Sequence, residues 1–103
     1  LSVCFVRCVR IRFEGEPYYL YTLTSWFRYV EDLVREMTCV DRFEVEARES
    51  DFVRIYVNDE LVFEGLPDNE GALAEILIHE LRRRGFTCSE SELSSEEGSS
   101  DRS

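Results

Sequence analysis

The chain is expected to fold as an α+β two-layer sandwich, a mixed sheet of about four to five strands with two helices on one face and the other face open. Three observations predict this. Val9, Ile11 and Phe13 alternate with Arg10 and Arg12; Phe43, Val45 and Ala47 alternate with Glu44, Glu46 and Arg48; Val53, Ile55 and Val57 alternate with Arg54 and Tyr56. Strict alternation marks a sheet packed on one side and solvated on the other. Two further segments carry apolar residues at helical spacing, and 103 residues with 44% apolar content suffice for one hydrophobic core.

The first strand is read over residues 3–13. Near its start both faces are apolar, with Val3 and Phe5 on one and Cys4 and Val6 on the other, which suits a central strand covered on both sides there. Glu14-Gly15-Glu16-Pro17 punctuates the chain as a loop. Residues 18–23 are rich in strand formers and are read as the second arm of a hairpin, with Pro17 tolerated where an edge strand begins. Thr24 or Ser25 then caps a helix in which Trp26, Val30, Leu33, Val34 and Met37 share the buried side. On the other side Glu31 and Arg35 form an i,i+4 pair in the favourable order, worth about 0.3–0.5 kcal/mol when exposed.

Strands at residues 43–49, 52–57 and 61–65 follow. Matching their faces favours Asn58-Asp59-Glu60 as a three-residue loop, which sets Ile55 opposite Phe63 in the core and Arg54 opposite Glu64 on the solvated face. The last helix begins after Leu66-Pro67, capped by Asp68 or Asn69, and buries Leu73, Ile76, Leu77 and Leu81. Arg82, Arg83 and Arg84 complement the helix dipole in its final turn, and Gly85 with Phe86 makes a Schellman-type stop.

Residues 1–88 are read as one domain and residues 89–103 as an acidic tail. The tail holds Glu90, Glu92, Glu96, Glu97 and Asp101 against Arg102, with Leu93 its one large apolar residue, too little to offset the entropy of ordering it. The formal net charge of −10 argues against general nucleic-acid binding, which uses Lys and Arg to displace phosphate counterions. The opening apolar run is too short for a signal-peptide core, so no membrane association and a cytoplasmic location are expected. All twelve basic residues are Arg, and Gln is absent, a usage that a GC-rich thermophile would produce.

From Val53 to Arg84 the order strand, tight turn, strand, Pro-containing loop, helix resembles the C-terminal half of thioredoxin-like and glutaredoxin-like domains. The stretch Arg54-Ile55-Tyr56-Val57-Asn58-Asp59-Glu60-Leu61-Val62-Phe63-Glu64-Gly65 is similar to the hairpin of their small members. With the N-terminal half laid on the same scheme, the resemblance spans residues 3–86 and implies a thioredoxin-like variant as the alternative fold. Two departures stand out. Where active members carry C-x-x-C this chain reads Glu16-Pro17-Tyr18-Tyr19, and where they carry a cis-proline it reads Ser50-Asp51-Phe52. The helix that covers their second sheet face is also missing, which agrees with an open face here. The resemblance further implies that Cys4, Cys39 and Cys88 gather at one pole, where a Cys39–Cys88 disulfide is the specific possibility and buried thiols the plainer one.

Chemistry-bearing patterns are sparse. Cys4 and Cys8 lie roughly 13 Å apart along a strand, too far to bridge. Only His79 could join cysteines around zinc, and it lies off the buried stripe, so no metal site is expected. There is no glycine-rich phosphate loop, no cofactor motif and no nucleophile beside a base, so no catalytic residue is assigned. Glu14 and Glu16 read as solvated loop carboxylates. What remains is the open face, Arg10, Arg12, Glu44, Glu46, Arg48, Arg54, Tyr56 and Glu64, whose mixed charge suits an Arg/Glu ladder or a self-complementary contact surface. A non-catalytic protein-interaction module, meeting itself or a protein partner through this face or the Tyr-bearing edge strand read at residues 18–23, is therefore the leading expectation. A divergent thioredoxin-like redox protein and a nucleic-acid binder are the alternatives.

Overall fold

The computed structural model describes residues 8–86, in the order β1 (Cys8–Gly15), α1 (Pro17–Met37), β2 (Arg42–Glu49), β3 (Arg54–Val57), β4 (Glu60–Glu64) and α2 (Glu70–Arg83). The doubly apolar start expected for the first strand, and the acidic tail, lie outside these residues. The strands form one four-stranded sheet in the order β2-β1-β3-β4. β1 and β2 are parallel, whereas β1–β3 and β3–β4 are antiparallel. A parallel neighbour needs a long crossover, and α1 supplies it. Leu20, Leu23, Phe27, Val30 and Val34 of α1 share one core with Leu73, Ala74, Leu77 and Leu81 of α2 and with Val9, Ile11, Phe13, Ile55 and Val57 of the sheet. Both helices thus pack on one sheet face, and the arrangement is α+β with an open sheet.

Residues 18–23 are helical, not a strand, and this corrects the expected hairpin and removes the Tyr-bearing edge strand expected as an interaction edge. Pro17 occupies the first turn, where its missing N–H is no loss and its fixed φ is already helical, while Glu16 is extended at the N-cap instead of Thr24 or Ser25. Helical phase buries Leu20 and Leu23 and leaves Tyr18 and Tyr21 outside, a gain that overrides the strand propensity of tyrosine. The two threonines are accommodated by bonding backwards, Thr22 Oγ1 to the Tyr18 carbonyl at 3.1 Å and Thr24 Oγ1 to the Leu20 carbonyl at 2.8 Å. The longer helix also rotates the buried side. Val30 and Val34 are in the core as expected, Trp26 is only partly covered, and Leu33 and Met37 are exposed.

The turn between β3 and β4 has two residues, not three. Asn58 and Asp59 both have positive φ, 50° and 68°, as a type I′ hairpin turn requires. Ile55 still faces Phe63 and Arg54 still faces Glu64, because an irregularity next to Ile55 and Tyr56 absorbs the odd residue in β4. The tight turn also extends the sheet: Asn58 N–H donates to the Arg10 carbonyl at 2.8 Å, and the Arg10 N–H donates to Asn58 Oδ1 at 2.9 Å.

β2 departs from the expected one-sided burial. Phe43 is partly buried, 5.8 Å from the Phe27 ring, but Val45 and Ala47 remain exposed on the helix side. β2 is an edge strand, and α1 does not cover its far half. Glu14 is likewise not a loop carboxylate; it belongs to β1, which runs two residues further than expected.

α2 starts at Asn69, whose Oδ1 accepts the Ala72 N–H at 2.9 Å, and it buries Ala74 more fully than Ile76. It stops as the sequence predicts. Phe86 N–H donates to the Leu81 carbonyl and Gly85 N–H to the Arg82 carbonyl, with Gly85 at φ 90°. Near this end Glu80 accepts from Arg83 at 2.7 Å and lies 3.5 Å from Arg84, which also reaches Glu60 of β4 at 2.7 Å. The Arg83 hydrogen bond, aided by the charges of Arg83, Arg84 and His79 and opposed by desolvation, holds the Glu80 carboxyl below its ordinary 4.5. A depressed carboxyl contributes stability that is complete above its unfolded pKa and is lost as pH falls through the folded value. The stability advantage of the wild type over Glu80→Gln is therefore expected to shrink below about pH 4.5. Urea unfolding of both proteins from neutral pH into that range checks it.

Candidate interaction surface

The open face is assembled by register. Residues paired across neighbouring strands point to the same side, so Arg10 beside Glu44, Arg12 beside Glu46 and Tyr56, Glu14 beside Arg48 and Arg54, and Arg54 beside Glu64 form one lattice. All eight residues that the sequence assigns to the face are in it. Strand phase suffices to find them because period-two alternation holds through β1, β2 and β3, and in β4 Glu64 keeps its place opposite Arg54 on the near side of the irregularity.

Ion pairs run across the lattice. Arg10 lies 3.6 Å from Glu44 and 3.6 Å from Asp59. Arg12 donates to Glu14 at 3.0 Å and to Asp59 at 3.1 Å, with its guanidinium 4.2 Å from the centre of the Tyr56 ring. Arg48 meets Glu46 at 2.6 Å, Arg42 lies 3.8 Å from Glu44, and Arg54 donates to Glu64 at 3.3 Å while lying 5.0 Å from the Phe52 ring. Arg12 is the least exposed arginine of the face. Desolvation alone would lower its pKa, but the hydrogen bonds to Glu14 and Asp59 and their charges outweigh this and raise it. Arg12 is a fixed cation, clamped from two sides and stacked on a ring.

Four participants lie outside the set read from the sequence. Asp59 belongs to a turn, and only the type I′ geometry folds it back over Arg10 and Arg12. Glu14 and Arg42 continue the alternation at strand ends, beyond the boundaries that the sequence marks. Leu61 reaches the face beside Tyr56 because the β4 irregularity changes the phase of that strand.

At one end of the sheet, Tyr19, Asp51, Phe52, Val53, Glu64, Gly65 and Leu66 line an open cleft of about 350 Å³. No cysteine, histidine or hydroxyl nucleophile of the serine type is among them. Among the described residues no group of three or more His, Cys, Asp or Glu side chains is arranged to hold a metal, and no helix is long and apolar enough to cross a membrane. His79 is exposed on α2. Cys39 is disulfide-bonded and its N–H donates to the Phe86 carbonyl at 3.0 Å, whereas Cys88, the partner suggested for it, lies outside the described residues. No protein-family model, no curated protein and no solved structure matches this chain.

Proposed function

We propose that this chain is a non-catalytic protein-interaction module that meets a second copy of itself, or another protein, through the open face of its sheet. The observation that carries the reading is the interleaving of Arg10, Arg12, Arg48 and Arg54 with Glu14, Glu44, Glu46, Asp59 and Glu64 around Tyr56 and Leu61 on one sheet face that no described helix covers. A lattice of alternating charge is complementary to a rotated copy of itself, and complementary charge sets orientation and suppresses wrong partners. Its arginines have carboxylates within ion-pair distance, a poor match for phosphate. Sedimentation across a concentration series tests the self-association form. Arg54→Glu, which opposes two carboxylates at the Glu64 position, is expected to weaken the dimer by roughly tenfold with the circular dichroism spectrum unchanged. A wild-type protein that stays monomeric, with Arg54→Glu indistinguishable from it, overturns this form.

A second reading, a divergent thioredoxin-like protein, is favoured by the helical state of residues 18–23, since a helix directly after the first strand is what that resemblance implies. Both slots named by the resemblance also contribute to one cleft, Tyr19 from the first and Asp51 and Phe52 from the second. Neither slot carries a thiol, so this reading concerns ancestry of the fold more than redox chemistry. Redox activity would require a cysteine with a depressed pKa, seen as fast alkylation near neutral pH; uniformly slow labelling overturns it.

A further inference from the structure

Among the described residues, β2 is the least protected edge strand of the sheet. β4, at the opposite edge, has five residues and an irregular register, two devices that discourage pairing with other chains. β2 has eight residues, pairs regularly with β1 along its whole length, and contains neither proline nor glycine. The Ser50 N–H just beyond it donates inward to the Gly15 carbonyl at 3.0 Å. By alternation, Phe43, Val45, Ala47 and Glu49 therefore aim their N–H and C=O groups outward, away from β1. On the helix side of the same edge Val45 is 43% exposed and Ala47 is also exposed, the two apolar side chains of β2 that α1 leaves uncovered.

We propose that β2 pairs antiparallel with β2 of a second copy, across a twofold axis at Glu46, so that the two sheets become one continuous sheet. This deepens the interaction reading and rests on it only in taking the partner to be the chain itself. The register follows from charge and ladder length. With the axis at Glu46, Glu44 lies opposite Arg48 of the second copy, twice by symmetry, and Val45 lies opposite Ala47, which covers the exposed apolar pair. Phe43 and Glu49 close the ladder, so every outward-facing residue of the strand gains a hydrogen-bonding partner. One like pair, Glu46 with its own copy, remains at the axis, and each member has its own Arg48 at 2.6 Å. An axis at Val45 would instead oppose Glu44 to Glu46 and Arg42 to Arg48, like charges at every solvated position. An axis at Glu44 keeps opposite charges together but shortens the ladder and leaves the outward groups of Glu49 without a strand partner.

Cysteine scanning reads the register. A residue on the axis faces its own copy at roughly 4.5 Å between Cα atoms in such a pair, within disulfide range, whereas a neighbour does not. Under a mild oxidant, Glu46→Cys is expected to give a cross-linked dimer on a non-reducing gel at least about tenfold faster than Val45→Cys, Glu44→Cys or the wild type, which sets the background. Faster cross-linking of Val45→Cys or Glu44→Cys overturns the register. Sedimentation of the wild type, Ala47→Pro and Arg54→Glu separates this edge from the open face. Ala47→Pro removes an outward N–H that β1 does not use, so the monomer sheet tolerates it while the paired edge does not. Loss of the dimer in Ala47→Pro supports edge pairing. A dimer that survives Ala47→Pro and fails in Arg54→Glu overturns edge pairing and keeps the face reading. A wild type that is monomeric throughout, without Glu46→Cys cross-linking, overturns edge pairing and leaves other partners for the face.

Discussion

Phe27→Ala is expected to lower the free energy of unfolding by about 3–5 kcal/mol, as large an effect as a single truncation in this core should have. Phe27 is 3% exposed and bridges two strands through its ring, 6.1 Å edge-on from Phe13 of β1 and 5.8 Å edge-on from Phe43 of β2. Truncation removes the apolar transfer term, leaves a cavity between three elements, and deletes two aromatic contacts of about 0.5–1.5 kcal/mol each. The cost is not uniform over the sheet. Phe13 keeps its place among buried neighbours, whereas Phe43 is only partly buried and loses one of its two ring contacts, keeping the Arg35 guanidinium 4.6 Å from its ring centre. β2 should therefore loosen more than β3. Thermal or urea unfolding measures the global loss. Hydrogen exchange distinguishes its distribution, with the inward amides of Glu44, Glu46 and Arg48 expected to lose more protection than those of Ile55 and Val57. Equal loss in both strands would show that Phe27 supports the core generally and does not anchor the edge.

Cys39→Ser is expected to cost about 2–4 kcal/mol, and peptide mapping without reduction is expected to recover Cys39 joined to Cys88. Cys39 is disulfide-bonded, and its N–H reaches the carbonyl of Phe86, two residues before Cys88. That backbone bond brings the segment after α1 alongside the segment after α2, so a cross-link from Cys39 to Cys88 would close a loop containing β2, β3, β4 and α2. Constraining so long a loop removes much of the freedom of the unfolded chain, which is where a disulfide exerts most of its effect in the chain-entropy model. The wild type should accordingly unfold at lower denaturant concentration in the presence of a reductant, and Cys39→Ser should show no such response. A Cys39–Cys4 peptide in the map would redirect the cross-link to the other cysteine outside the described residues. Retention of full stability in Cys39→Ser would show that the bond contributes nothing to folding.

Much of the fold is legible residue by residue. α2 can be read with its cap, its buried leucines and its stop, because Asn69 and Gly85 carry their structural roles in short-range chemistry. The pairings of Ile55 with Phe63 and Arg54 with Glu64 are legible too, since only those keep both faces consistent. Residues 18–23 mislead because their intrinsic preference points to a strand, and the burial that makes them helical depends on a sheet and a second helix already in place. The turn misleads for a related reason. A two-residue loop and a phase change in β4 together preserve the same facing as a three-residue loop, and face matching alone does not tell them apart.

For the candidate surface, the sequence by itself determined that Arg10, Arg12, Glu44, Glu46, Arg48, Arg54, Tyr56 and Glu64 share the solvated face, because side-chain direction in a regular strand depends only on parity. It also determined that no paired-cysteine, zinc or phosphate-loop motif is present. Apart from Arg54 with Glu64, tertiary structure alone decided the partners on that face. Asp59 clamps Arg10 and Arg12 only once β3 is antiparallel to β1, and Leu61 joins Tyr56 only through the irregular register of β4. It alone also decided which edge is exposed. Among the described strands the sheet order places β2 outermost, and the path of α1 leaves Val45 and Ala47 uncovered beside outward-facing backbone groups. Parity is a local property of the chain, whereas strand order and helix coverage arise from contacts between residues far apart in sequence.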